Sequence, residues 1–387
     1  MTVPRGERLR ILVSGMIAAV PHHGGATWAV LQYLLGFARL GHEVTFVEQL
    51  DSAGGELERS GSAAYMRDVA GRFELGGRWS LLRAGTGETA GLSYEQVRAA
   101  AHEADVLVNI SGVLSDEDLV TSVPVRVYLD LDPAFNQLWH ASGIDMRFAG
   151  HTHFVTVGQS IGTPECPVPT CGLDWIPTVP PVVLEHWPRA RRDEGPGAGA
   201  FTTVGNWRGY GSVEHEGVHY GQKAHSMREL MAIPTRTDAV LRPALDVHPG
   251  ETPDREALDR NGWQLLDPAA VAGDPDAYRA FVAGSLAELG VAKSGYVLSR
   301  CGWFSDRSAC YLACGRPVLA QDTGFPRHLP TGEGLLSFTG TDDAVAGIEE
   351  IRSDYRRHSD RARALALEEF DSDIVLARLL DRVGSGA

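Results

Sequence analysis

Compact apolar runs alternate with helical spacing along most of this chain. Leu9 to Ser14 (LRILVS) predicts a buried first strand. Ala26 to Leu40 carries Val30, Leu31, Leu34, Leu35 and Ala38 on one helical face, and Gly41 ends it. Glu43 to Glu48 (EVTFVE) predicts the second strand, giving a βαβ unit with parallel strands and a right-handed crossover. Residues 51–91 are rich in Gly, Ser and Arg and predict a variable helical insertion. Further on, 94–103 predicts a helix, and 105–110, 125–129 and 153–157 predict strands. A Pro-rich stretch at 161–182 crosses toward a junction, and 190–200 (ARRDEGPGAGA) predicts a linker.

A second series follows. It opens with a strand at 201–204 and the loop GNWRGYG, with a helix around 227–231 and weaker strands at 239–241 and 263–266. A helix at 276–289, strands at 296–298 and 334–338, and a helical tail over 342–383 complete it. Ser305 to Ala320 (SDRSACYLACGRPVLA) gives the clearest local reading. Ser305 and Asp306 suit an N-cap, Gly315 suits a left-handed helix end, and Pro317 leads a short strand. The fold class expected is α/β, with two doubly wound Rossmann-like domains whose facing loop edges form a cleft.

The chain has 387 residues, 43% of them hydrophobic, enough for two cores. Its net charge of −15 predicts that nucleic acid is not a partner, and the short Arg189, Arg191, Arg192 run is followed by Asp193 and Glu194. The opening MTVPRGERLR has no leader pattern and no apolar run reaches membrane-spanning length, so a cytoplasmic location is expected. The five cysteines are an odd set without zinc-knuckle spacing, which predicts buried thiols and no metal.

Several chemistries lack their motif. SGMIAA stands where a nicotinamide or flavin fingerprint would follow the first strand, and neither a P-loop nor a G-x-S-x-G elbow occurs. What remains are groups suited to an activated, anionic ligand. The start of the helix after Ser305 offers unpaired amides, with Ser308 and the cation of Arg307 beside them; an ordinary capped βαβ helix is the plainer reading. Gly24 and Gly25 would let a ligand approach the backbone, and His22 or His23 could take a proton from an acceptor, or merely solvate the loop. Arg208 and Lys223, after the strand that ends at the Gly205 loop, suit a diphosphate. Asp130 and Asp132 end a strand and could serve as base, or only as turn residues. His151 and His153 read as structural.

Three stretches resemble GT-B-fold glycosyltransferases of the nucleotide-sugar-dependent, group 1-like kind: ILVSGMIAAVPHHGGATWAVLQYLLGFARLGHEVTFVE, ACYLACGRPVLAQDTGFPRHLPTGEGLLSF, and the helical tail. The resemblance implies an acceptor domain over 1–189, a donor domain over 190–365 and a tail helix over 366–387 that crosses back. It implies a metal-independent hexosyltransferase with no cofactor, using a nucleotide-diphosphate sugar such as a UDP-sugar as co-substrate. The acceptor expected is a small molecule, of secondary-metabolite type, on the strength of the 51–91 insertion. The candidate catalytic residues are His23, His22 and Asp130. The candidate donor residues are Gly24, Gly25, Gly205, Arg208, Lys223, Ser299, Ser305, Asp306, Arg307, Ser308 and Asp322. The chain departs from the family where retaining members carry two glutamates, having Gly302 and Cys310 there. A sugar-nucleotide epimerase of the same fold and a non-catalytic nucleotide-sugar-binding protein are the alternatives.

Overall fold

Apolar runs without polar alternation suit strands covered on both faces, and the chain uses them so. The computed structural model describes residues 8–51, 54–190 and 195–384; residues 191–194 of the expected linker lie outside them. The first sheet comprises β1 (Arg10–Ser14), β2 (Glu43–Leu50), β3 (Trp79–Arg83), β4 (Thr89–Gly91), β5 (Val106–Ile110), β6 (Val125–Asp130), β7 (His153–Thr156) and β8 (Trp175–Pro177). Its order is β4-β3-β2-β1-β5-β6-β7-β8, and only β4 runs antiparallel to its neighbour. The helices are α1 (Gly24–Arg39), α2 (Gly61–Arg72), α3 (Tyr94–Glu103), α4 (Glu117–Ser122) and α5 (Phe135–Ala141). Strand order reverses between β1 and β5, which makes the loops beyond their carboxyl ends the natural ligand edge.

The second sheet is wholly parallel, built from β9 (Ala200–Asn206), β12 (Val240–Asp246), β13 (Ala287–Gly290), β14 (Val318–Gln321) and β15 (Leu335–Phe338) in the order β12-β9-β13-β14-β15. A hairpin of β10 (Val213–His215) and β11 (Val218–Tyr220) stands apart from it. Its helices are α6 (Lys223–Glu229), α7 (Thr252–Arg260), α8 (Pro268–Ala272), α9 (Pro275–Gly284), α10 (Ser294–Ser299), α11 (Asp306–Ala313), α12 (Thr341–Ser353), α13 (Tyr355–Leu365) and α14 (Ser372–Gly384). Order reverses between β9 and β13. Two doubly wound sheets with facing loop edges constitute the GT-B arrangement.

Five expectations are corrected. Residues 51–91 are helical only in part: α2 is followed by β3 and β4, which extend the sheet, with Trp79, Leu81 and Leu82 buried. The helix expected over 276–289 stops at Gly284, and 287–290 becomes β13, clamped between β9 and β14. Sheet pairing there overrides an apolar spacing that suits either element. Residues 296–298 lie in α10, which ends on a left-handed Arg300 (φ 48°), not in a strand. The tail is three helices, broken at Asp354 and at Asp371. Residues 263–266 supply only a single bridge, Leu266 to Ala244.

The main hydrophobic core does not divide where the sheets divide. Trp28, Leu31 and Phe37 of α1 belong to the same buried cluster as Tyr278 and Val282 of α9, Cys310 and Leu312 of α11, and Leu376 and Leu379 of α14. The chain returns to the first sheet where Val182 donates to the Phe370 carbonyl (2.7 Å) and Ser372 donates to that of Val182 (2.9 Å). α14 then lies on α1 at Gly36, where a Cβ would overlap Leu376 Cδ1 and come within 3.1 Å of Ser372 Cβ. Gly36→Val should therefore lower stability by roughly 1–3 kcal/mol, the usual range for overpacking, as read by urea unfolding. An unchanged midpoint would mean that α14 does not rest on α1 in solution.

Candidate functional site

A cavity of about 390 Å³ lies between the sheets at the carboxyl ends of β1 and β9. The first sheet contributes the loop after β1 and the start of α1: His22, His23, Gly24, Gly25, Ala26 and Ala29. The second contributes Gly205 and Asn206 from β9, Asp246 from β12, Asp267 and Ala269 beside α8, Tyr278, and Asp306 and Arg307 at the start of α11. The structure thus brings His22, His23, Gly24, Gly25, Gly205, Asp306 and Arg307 together around one space.

Each wall has a physical basis. His22 is held in the left-handed region (φ 65°) and its ring packs 5.3 Å from that of Tyr65. Tyr65 is in turn hydrogen-bonded to Thr27 of α1 (2.8 Å). His23 is the N-cap of α1 but forms no side-chain cap, so the first-turn amides are not taken by it. Below, the buried carboxylate of Glu48, in the carboxyl half of β2, accepts from the backbone amides of Ile17 (3.0 Å), Ala18 (2.7 Å) and Ala19 (2.7 Å). Burial pushes this carboxyl up to about 7 while the three amides pull it down.

On the opposite wall, Arg307 does not present a free cation. Its Nε donates to Glu288 (2.5 Å) and its Nη1 to the Val204 carbonyl (2.9 Å). Burial alone would lower its pKa, but Glu288 outweighs that and keeps the guanidinium charged. Glu288 is fully buried, and its second carboxylate oxygen has no hydrogen-bond partner. Burial raises the pKa of Asp306 against the opposing pull of Arg307 and of the amides at its own helix start. Ser305 caps α11 by position only, since its side chain accepts no first-turn amide. Ser308 is buried one turn in.

The remaining expected residues lie elsewhere. The glycines at 24 and 25 are needed for domain contact: a Cβ at 24 would overlap the Asp274 carbonyl oxygen, and one at 25 would meet the Tyr278 ring at 3.0 Å. That close packing is a second demand on two glycines that also line the cavity. Arg208 is turned to Glu251 (2.5 Å) on the surface. Lys223 opens α6 beneath Gly205, buried, with its ammonium on the Val291 carbonyl. Burial, then Arg307, lowers its pKa well below the ordinary lysine range. Ser299 is buried with its hydroxyl on the Tyr296 carbonyl (3.2 Å). Asp322 fixes the turn after β14 by accepting from the Gly324 amide (2.7 Å).

Asp130 does not reach the cavity. It is fully buried, and its oxygens accept from Asn136 (2.7 Å), Gln137 (2.8 Å), Thr156 (2.8 Å) and the Asp132 amide (3.0 Å). It is an internal strut, which corrects its placement as a base facing the cleft. Asp132 instead binds across the domain seam to Lys293 (2.8 Å), Tyr210 and Tyr296. Burial raises its pKa, but Lys293 outweighs this and holds the carboxyl below the usual range.

Sequence reasoning missed Glu48, Glu288, Asn206, Asp246, Asp267 and the Asp132 cluster. For Glu48 a signal existed, a carboxylate ending an otherwise apolar strand; Glu288 was hidden by the misplaced helix. Among the described residues no group of three or more His, Cys, Asp or Glu is placed to hold a metal, and all five cysteines are free. Among them also, no helix is long and apolar enough to cross a membrane.

No protein-family model and no curated protein sequence matches this chain. Solved structures do match its fold. An α-glucosyltransferase in complex with UDP-glucose and DNA containing an abasic site aligns with a TM-score of 0.61 at 13% identity, covering 97% of this chain and 100% of that one. HepE from Anabaena, in complex with UDP and glucose, gives 0.59 at 12%, covering 98% and 100%. A glycosyltransferase from Rickettsia africae gives 0.55 at 11%, also covering 98% and 100%. The chain therefore has the GT-B fold seen in these glycosyltransferases. Several of the similar structures hold DNA, so the exclusion of nucleic acid drawn from the net charge does not stand. Net charge is a global sum, whereas a binding face is local.

Burial raises Asp130 from 3.8 to about 6. A carboxyl raised on folding adds stability that is complete below its unfolded pKa and is lost as pH rises through the folded one. The stability of wild type relative to Asp130→Asn should thus fall by about 3 kcal/mol between roughly pH 4 and 6. Denaturant unfolding of both proteins across that range checks it, and a flat difference would refute the assignment.

Proposed function

We propose that this protein is a glycosyltransferase that moves a hexosyl group from a UDP-sugar to an acceptor hydroxyl in the cavity between its sheets. The observation that carries this reading is the shared cavity, with two histidines and an uncapped helix start on one wall and Arg307 with the Gly205 turn on the other. Transfer breaks the bond from the anomeric carbon to the β-phosphate oxygen and forms one to the acceptor oxygen. The departing diphosphate then needs positive charge and amide donors. Arg307 and the helix starts are the groups suited to that, with Lys223 buried behind them beneath Gly205, and the reading calls for no metal. On this reading His23, or His22 beside it, takes the acceptor proton. The presence of UDP or UDP-glucose in similar solved structures supports the choice of donor. The ground for a specifically small-molecule acceptor weakens, because residues 51–91 are an ordinary part of the sheet.

A second reading has one observation behind it. Asp246, Asp267 and Asp306 put carboxylates on the same cavity, which suits isomerisation or hydrolysis of the donor alone, as in an epimerase.

The test is a thermal-shift and turnover series with UDP, UDP-glucose and other nucleoside diphosphates, run with a panel of hydroxylated small molecules and a DNA duplex. UDP at about 100 times its Kd should stabilise the protein by about 2.7 kcal/mol. His23→Ala should keep that shift and lose transfer by about 100-fold or more, the ordinary range for a removed acid–base group. Conversion of the donor with no acceptor present would favour the second reading. The absence of any shift with every nucleoside diphosphate would remove both.

A further inference from the structure

The first turn after β1 of a doubly wound sheet is where a ligand's phosphate usually meets successive backbone amides. In this chain that position is already filled from within. The Glu48 side chain, fully buried in the carboxyl half of β2, accepts from three consecutive amides, Ile17, Ala18 and Ala19, at 2.7–3.0 Å. Ile17 and Ala18 are themselves buried, so a water molecule from bulk does not replace the carboxylate without rearrangement. The same loop continues through Val20 and Pro21 to His22 and His23, which line the cavity. His22 sits in the left-handed region, a conformation that persists only where the surroundings enforce it.

We infer that Glu48 is a positioning residue for the donor cavity: its carboxylate stands in for a bound anion and fixes the β1–α1 loop so that His22, His23 and the start of α1 face the ligand. This rests on the reading of the cavity as a nucleotide-sugar site. It also assigns the donor's diphosphate to the second wall, because the amides after β1 are committed to Glu48. Hydrogen bonds to a charged acceptor are among the stronger ones in a protein interior, so three of them suffice to hold a short loop.

The test uses the full chain with Glu48→Ala and Glu48→Gln. Two readouts are followed, UDP affinity by titration and hydrogen exchange of the Ile17–Ala19 amides with no nucleotide present. Glu48→Ala should weaken UDP binding about ten-fold and speed exchange of those amides at least about ten-fold, as expected for lost charge-assisted hydrogen bonds. Acetate near 0.1 M should restore both, by refilling the vacated pocket, and acetamide should not. A merely structural role predicts no such anion-specific rescue. Glu48→Gln fills the volume but has a single acceptor oxygen, so it should show faster exchange that acetate leaves unchanged. It serves as the second test if the alanine variant does not fold. Wild-type exchange at Ile17–Ala19 in both variants, undiminished UDP affinity, or equal rescue by acetamide would each overturn the inference. Wild-type protein with no affinity for UDP would overturn the donor reading and with it the nucleotide role of Glu48; the exchange readout would then decide the loop anchor by itself.

Discussion

No side chain fits at position 24. The start of α1 meets the carbonyl of Asp274 so closely that only hydrogen can point there, and Gly25 beside it lies against the Tyr278 ring. One turn further on, the Trp28 indole donates to the Pro275 carbonyl (2.8 Å). This contact sets the distance between the two sheets. The cavity beside it, the placement of His22 and His23 opposite Arg307, and the continuous core through α1, α9 and α11 all follow from it. Two domains joined by a loose polar interface would be expected to move freely against each other. Here the interface along α1 has the composition of a core, so the geometry of the cavity is built in before any ligand arrives.

The charges around that cavity are already balanced by the protein itself. Glu48 occupies the amides after β1, Glu288 occupies the guanidinium of Arg307, and Asp306 lies over the start of its own helix. On the proposed reading, a ligand phosphate would meet walls whose charges are already paired, with the amides after β1 kept by Glu48. Lys223 differs from these, because its ammonium rests on a carbonyl, and burial with Arg307 nearby depresses its pKa. A dianion placed above Gly205 would relieve that depression. Buried ion pairs add little net stability compared with apolar packing. Their presence beside the cavity is what the proposed anionic ligand would account for.

Much of the fold was legible in the sequence, because buried parallel strands announce themselves as apolar runs. β1, α1 and β2, β5 to β7, and α11 with β14 all lie close to where periodicity put them. The misses have physical causes. The run from Ala287 to Gly290 has a spacing that suits helix or strand, and only its place between β9 and β14 decides. Residues 51–91 contain glycines at turn positions around short strands, which dilutes the alternating signal. The site was harder to read. The loop at 22–25, singled out from sequence, does line the cavity, but one need for its glycines was hidden, since Asp274, which packs on Gly24, is about 250 residues away. Asp130 and Asp132 looked equivalent in DLDP. One is buried among amides and a hydroxyl, and the other reaches across the seam.

That second aspartate shows how the seam is closed away from α1. One carboxylate oxygen of Asp132 receives Lys293, Tyr210 and Tyr296, and the ammonium of Lys293 also sits 3.8 Å from the Tyr210 ring. The turn that presents Asp132 carries Ala134 at φ 72°, a costly conformation for a residue with a side chain. Further along the same edge, Gly158 bridges to Trp303 and Ser160 bonds to His328 (2.8 Å). The seam is thus apolar and continuous along α1, and from β6 to β7 it joins these polar contacts to a second apolar cluster, in which Phe135 and Trp139 pack on Tyr210 and Tyr296. Polar contacts can be exchanged for water at small net cost, whereas apolar burial cannot. Because the Asp132 cluster packs against Phe135 and Trp139, this end of the seam is held by apolar burial as well as by charge, as the end along α1 is held by its core.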